Sequence, residues 1–147
     1  MPVETTVTKE ILILNSEATE LERLDKWMDE FAVRQNLPKN IHYQVNVALE
    51  ELVLNVVKHA RCKPPQGAIR VSIRLENGAI EIVLSDNGTP FDPLRVPEPD
   101  LDADLADRPV GGLGIYLVRG IVDSLRYERR DGKNWLYLTK RVRGIEA

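Results

Sequence analysis

Ala48-Leu49-Glu50-Glu51-Leu52-Val53-Leu54-Asn55-Val56-Val57-Lys58-His59-Ala60 belongs to a stretch, beginning at Ile41, whose periodicity organises the rest of the chain. Ile41, Val45, Ala48, Leu49, Leu52, Val53, Val56, Val57 and Ala60 recur at helical spacing and predict a helix with a wide buried stripe. Glu51, Asn55 and Lys58 lie off that stripe, on an otherwise apolar helix. Residues four apart on a helix are neighbours, so the Glu51 carboxylate and the Asn55 amide sit side by side. At about 100° per residue, Asn55 lies roughly 40° around the helix from Glu51, and Glu50 roughly 140° from Asn55. Glu51 is therefore the carboxylate that shares a site with Asn55, and Glu50 is expected to be solvated or paired elsewhere. His59, one turn after Asn55, is expected to pack rather than to catalyse.

Upstream, Ile11-Leu12-Ile13-Leu14 suits a strand within Lys9 to Asn15. Asn15 or Ser16 is then expected to cap a helix starting near Glu17, along which Leu21, Leu24, Trp27, Met28 and Phe31 recur. Asn36-Leu37-Pro38 closes that helix. Downstream, strands over Ala68 to Leu75 and Ala79 to Leu84 are joined by Asn77-Gly78, a strong hairpin signal. From Gly88 to Gly112 five prolines and a run of acids predict a long loop, with a short helix around Leu101 to Asp107. A loop of more than ~15 residues in a compact domain is usually functional or disordered. A helix from Leu113 to about Val122, a strand Ser124 to Arg129, a turn at Asp131-Gly132 and a strand Trp135 to Val142 complete the pattern. These elements predict an α+β fold, a two-layer α/β sandwich with helices on one face of a mixed, largely antiparallel sheet.

Composition limits the function classes. At 147 residues the chain is most simply one domain, 1–147, large enough to bury a core without metals or disulfides. A net charge of −3 gives no support to direct nucleic-acid binding. One cysteine, Cys62, permits no internal disulfide and points to a reducing cytoplasm. No apolar stretch approaches ~20 residues and no signal pattern opens the chain, so no membrane role is expected.

Two further motifs add chemistry to Glu51 and Asn55. Ser85-Asp86-Asn87-Gly88 follows the apolar run Ile80-Glu81-Ile82-Val83-Leu84, so Asp86 stands where a strand should end. A carboxylate there can accept a hydrogen bond from the exocyclic amine of a purine, and Gly88 lets the backbone approach a flat ring. Gly111-Gly112-Leu113-Gly114-Ile115 opens a helix whose free amides can face a phosphate. An amide oxygen beside a carboxylate suits Mg²⁺ carried in by phosphates, and the carboxylate can take a proton from an attacking hydroxyl. Each motif alone is also met as ordinary surface or turn structure; together the three read as one nucleotide site.

In this combination the chain resembles the ATPase superfamily of DNA gyrase, the large heat-shock chaperones, sensor histidine kinases and mismatch-repair ATPases. It is most similar to the small stand-alone anti-sigma-factor serine/threonine kinases. The likeness rests on Ala48 to Ala60, on Leu84-Ser85-Asp86-Asn87-Gly88-Thr89-Pro90-Phe91-Asp92-Pro93, and on Gly111 to Val118. The resemblance implies a Bergerat-type ATP-binding fold using ATP and Mg²⁺. It makes Asn55 the metal ligand, Glu51 the general base and Asp86 the adenine acceptor. Gly88 would admit the ring, while Gly112, Leu113 and Gly114 would border the phosphates at the end of a lid over about 89–110. Lys58 would contact phosphate, and Arg108 is the basic residue near the lid's end. Pro90 departs from the superfamily, which commonly has glycine there, and it stiffens the start of the lid.

The resemblance further implies an anti-sigma-factor antagonist protein as phosphoacceptor, a sigma factor as competing partner, and a homodimer, the state relatives often adopt. The alternative is a non-catalytic, ATP-dependent binding module. A histidine-kinase role fits less well, because His42 and His59 both belong to the second helix and Glu51 stands where those enzymes usually carry asparagine.

Overall fold

A computed structural model describes residues 9–95 and 112–142. Five strands form one sheet in the order β1-β2-β3-β5-β4, with β1 Glu10–Leu14, β2 Ile69–Glu76, β3 Ala79–Asp86, β4 Ser124–Arg130 and β5 Lys133–Arg141. Every ladder between these strands is antiparallel, so the sheet is antiparallel rather than mixed. Among the described residues three helices cover one face: α1 Leu21–Gln35, α2 Lys39–Asn55 and α3 Gly112–Ile121. Leu14, Ile69, Val71, Ile73, Ile80, Ile82, Leu84, Leu136 and Leu138 alternate onto that face and meet Leu24, Met28, Phe31, Leu49, Leu52 and Val53 in one apolar cluster. Among the described residues no helix is long and apolar enough to cross a membrane.

Turn chemistry fixes the connections. Asn77 and Gly78 both take positive φ (53° and 72°), as do Asp131 and Gly132 (54° and 71°), which suits the tight hairpins β2–β3 and β4–β5. Asn36 ends α1 in the left-handed region, and the Leu37 N–H donates to the Ala32 carbonyl at 3.0 Å. The start of α1 departs from the sequence expectation. A single 3₁₀ turn over Ala18–Glu20 precedes it, and neither Asn15 nor Ser16 caps a helix. The Asn15 side-chain oxygen accepts the Gly67 N–H instead, and the Glu20 carboxylate accepts the Asn15 N–H and bonds Arg23.

The second helix also ends differently from a regular 3.6-residue repeat. After Asn55 the chain widens into a π turn over Val56–Ala60, and Arg61 then reverses it with φ 50°. Such widenings place side chains off the α-helical angle and are frequent at functional sites. Glu51 and Asn55 both precede the widening and keep their one-turn relation, whereas Lys58 lies within it and is exposed. The strand β3 extends two residues beyond the expected Leu84, so Asp86 is its last residue.

Candidate nucleotide site

Helix α2 and its π turn form the spine of the site. Near its middle Glu51 reaches α3: a Cβ added to Gly114 would overlap the Glu51 carboxylate. Gly114 is therefore the position that allows Glu51 to lie against the first turns of α3. At the far end Ala60 meets the end of β3. A Cβ added to Gly88 would collide with the Ala60 backbone carbonyl, and the Thr89 N–H and hydroxyl both donate to that carbonyl at 2.5 and 3.0 Å. Gly88 thus has a packing reason to be glycine that is independent of any ring. Ala60 lies nine positions after Glu51, at most roughly 13 Å at helical rise, so a ligand touching both ends spans up to about that length.

Asn55 is buried, 8% exposed, on the flank of α2 that turns inward. The expectation that Asn55 lies off the buried stripe is corrected: Glu51 is half-buried and Asn55 more so. Among the described residues no hydrogen bond reaches either side chain. Glu50 is indeed paired elsewhere. It accepts a hydrogen bond from Asn46 at 3.0 Å, and burial, then the neighbouring Asp25 carboxylate, push its pKa up. His59 stacks on Phe91, ring centres 5.0 Å apart, as a packing residue.

Asp86 is 4% exposed. Its Oδ1 accepts from the Gly88 N–H at 2.8 Å and from Asn134 Nδ2 at 2.9 Å, with the Cys62 thiol 3.9 Å away. Among the described residues no donor reaches Oδ2. Burial pushes the Asp86 carboxyl above the ordinary carboxylate range, while the Asn134 amide, the Gly88 N–H, the Arg129 guanidinium and the Cys62 thiol pull it back. The result is a one-sided acceptor: one oxygen is held by the protein and the other is left to a donor from outside.

Among the described residues no group of three or more His, Cys, Asp or Glu could hold a metal. A lone carboxylate–amide pair does fit Mg²⁺ that keeps most of its ligands from water and phosphate. A groove of about 350 Å³ lined by Arg74, Glu81 and Tyr137 opens on the other face of the sheet and touches none of Glu51, Asn55 or Asp86. Its size does not make it the site; the convergent polar groups lie on the helical side. Gly112 and Leu113 belong to the first turn of α3. Arg108, Gly111, the short helix expected around Leu101 to Asp107 and most of the segment 89–110 lie outside the described residues.

The family model of the histidine kinase-like ATPase domain matches residues 14–140. The chain belongs to this family. Within it, the chain is 31% identical over 113 residues to the serine/threonine-protein kinase BtrW of Bordetella bronchiseptica, a match covering 77% of this chain and 80% of that protein. It is 29% identical over 92 residues to the serine-protein kinase RsbW of Listeria monocytogenes, covering 60% of this chain and 59% of that protein. The solved structure of the RsbU and RsbW domains of a Mycobacterium tuberculosis protein has the same fold. Its TM-score is 0.70 at 15% identity, over 92% of this chain and 32% of that one.

Reading the motifs missed Asn134, Tyr127 and Arg129, which surround Asp86 from the β4–β5 hairpin. Asn134 is directly opposite Asp86 in the ladder and is 3% exposed. A signal for it existed: it precedes Leu136 and Leu138 at the same alternation, so a polar residue stands at a core-facing position of a strand.

Proposed function

We propose that this chain is an ATP- and Mg²⁺-dependent serine/threonine protein kinase of the anti-sigma-factor type, which phosphorylates an anti-sigma-factor antagonist and binds a sigma factor. The observation that carries the reading is the Glu51 carboxylate seated against Gly114 at the start of α3, one helical turn from the buried Asn55 amide. The kinase names of the two relatives above support it.

In this reading Asp86 accepts the adenine amine through Oδ2. The amides of the first turn of α3, at Gly112, Leu113 and Gly114, border the phosphates. The Asn55 side-chain oxygen would hold the metal, which when bound would offset the charge of the transferred phosphoryl group. Glu51 takes the proton of the acceptor serine or threonine hydroxyl as that oxygen attacks the γ-phosphorus of ATP, whose bond to the bridging oxygen breaks to release ADP. Lys58 and Arg108 are proposed phosphate contacts, and the segment about 89–110 a proposed lid. Transfer needs little more than this from the protein, because positioning, a metal and a base supply most of the catalysis.

The test is incubation with labelled ATP, Mg²⁺ and an anti-sigma-factor antagonist protein from the same organism. Label on a serine or threonine of the antagonist is the expected result. ATP-dependent binding without any transfer would replace the kinase with a non-catalytic binding module.

A further inference from the structure

Asn134 belongs to none of the three motifs, yet its amide joins Asp86 to the backbone that leaves it. The Asn134 Oδ1 accepts from the Tyr127 hydroxyl at 2.6 Å, the Phe91 N–H at 3.2 Å and the Arg129 Nη1 at 3.3 Å. Its Nδ2 donates to Asp86 Oδ1 at 2.9 Å and to the Thr89 carbonyl at 2.8 Å. Amide orientation is ordinarily an assignment, because oxygen and nitrogen look alike. Here the chemistry decides it. A flipped amide would turn its NH₂ toward three donors and its oxygen toward a carboxylate and a carbonyl.

Two consequences follow from that fixed orientation. Asp86 is held through Oδ1 from two sides, so its carboxylate cannot rotate and Oδ2 keeps one direction. The turn from Gly88 to Phe91 is pinned by the same amide, and Arg129 adds a bond to the Gly88 carbonyl at 2.8 Å. We propose that Asn134 is a positioning residue for adenine recognition: its two N–H groups hold Asp86 Oδ1 and the Thr89 carbonyl, presenting Oδ2 to a ring amine and fixing the turn beside it. The proposal rests on the nucleotide reading above and deepens it. Discrimination is the specific outcome. A rigid, ionised acceptor favours the amine of adenine over the carbonyl that guanine places there. A carboxyl free to rotate and to carry a proton can donate to that carbonyl instead.

The test measures ATP and GTP affinity by calorimetry in the wild-type full chain and in Asn134→Ala, Asn134→Asp and Tyr127→Phe, each checked for folding by thermal melting. Asn134→Asp keeps the volume and removes both donors. It should narrow the ATP-over-GTP ratio at least as much as Asn134→Ala, by roughly tenfold, with GTP affinity unchanged or higher. Tyr127→Phe leaves the amide in place and removes one of the donors that orient it, so the ratio should narrow by roughly threefold. If the Asn134 variants do not fold, Tyr127→Phe alone decides: a narrowed ratio supports the positioning role and an unchanged ratio overturns it. Folded Asn134→Asp with the wild-type ratio overturns it as well, while the nucleotide reading stands. A wild type without ATP affinity removes that reading and the positioning with it.

Discussion

At the end of β3 the Asp86 carboxylate is gripped through one oxygen by Gly88 and Asn134, whereas along α2 Glu51 and Asn55 take no hydrogen bond among the described residues. In the proposed reading the contrast separates recognition from chemistry. An acceptor whose geometry is already fixed loses little freedom when a ring amine arrives. A base and a metal ligand must exchange partners during turnover, and a protein bond to either would have to break each time. Asp86 and Asn55 are similarly buried, at 4% and 8%, so between these two what differs is the supply of partners among the described residues rather than access to water.

The largest effect should come from the open end. Asn55→Ala removes the one side-chain metal ligand the reading assigns. Mg²⁺-dependent ATP binding should fall on the order of 10²-fold or more, the upper range for changes around metal sites. Calorimetry with and without Mg²⁺ checks this, and an unchanged affinity for Mg²⁺-ATP would assign the metal elsewhere. At the closed end Asp86→Ala should weaken ATP by about 1–3 kcal/mol, since the ring amine loses its partner in a buried site. GTP should lose much less. Equal losses for both nucleotides would remove Asp86 from base recognition.

Acid should act on the two properties of Asp86 in opposite directions. Its pKa is raised in the folded protein, first by burial, so between the unfolded and folded values the native state binds more protons than the unfolded one. Stability contributed by this group therefore rises as pH falls through that window and is lost as pH rises through the folded value. ATP affinity runs the other way, because it needs the ionised carboxylate, and it should decline at a pH above the ordinary carboxylate range. Asp86→Asn should remove the stability part of this dependence in melting curves taken across pH. The smallest effect belongs to Lys58, exposed in the π turn, where Lys58→Ala should change ATP affinity by about 0–1 kcal/mol, as for exposed charge contacts generally. A loss as large as that of Asn55→Ala would mean that the π turn carries Lys58 into the site.

The sequence made some of this legible and left the rest to tertiary structure. The apolar repeat from Ile41 onward declared α2, and Asn77-Gly78 and Asp131-Gly132 declared the hairpins, because these signals are local. The Glu51–Asn55 relation was readable from spacing alone, since both lie before the π turn. Nothing local announces the widening after Asn55 or the burial of its amide. Asn15 reads as a helix cap until Gly67, more than fifty positions away, takes its side-chain oxygen. Insertion of β5 between β3 and β4 is likewise a matter of non-local pairing, and without it Asn134 cannot be seen to face Asp86.

The division between a recognising end and a reacting end is tested most directly by Glu51→Gln, measured twice in one preparation: ATP affinity by calorimetry and transfer of label to the antagonist. Glutamine keeps the shape that fits against Gly114 and removes the proton acceptor. ATP affinity should stay within about twofold of wild type while transfer falls by a factor on the order of 10²–10⁴. Transfer at the wild-type rate, or loss of binding and transfer together, would contradict the account.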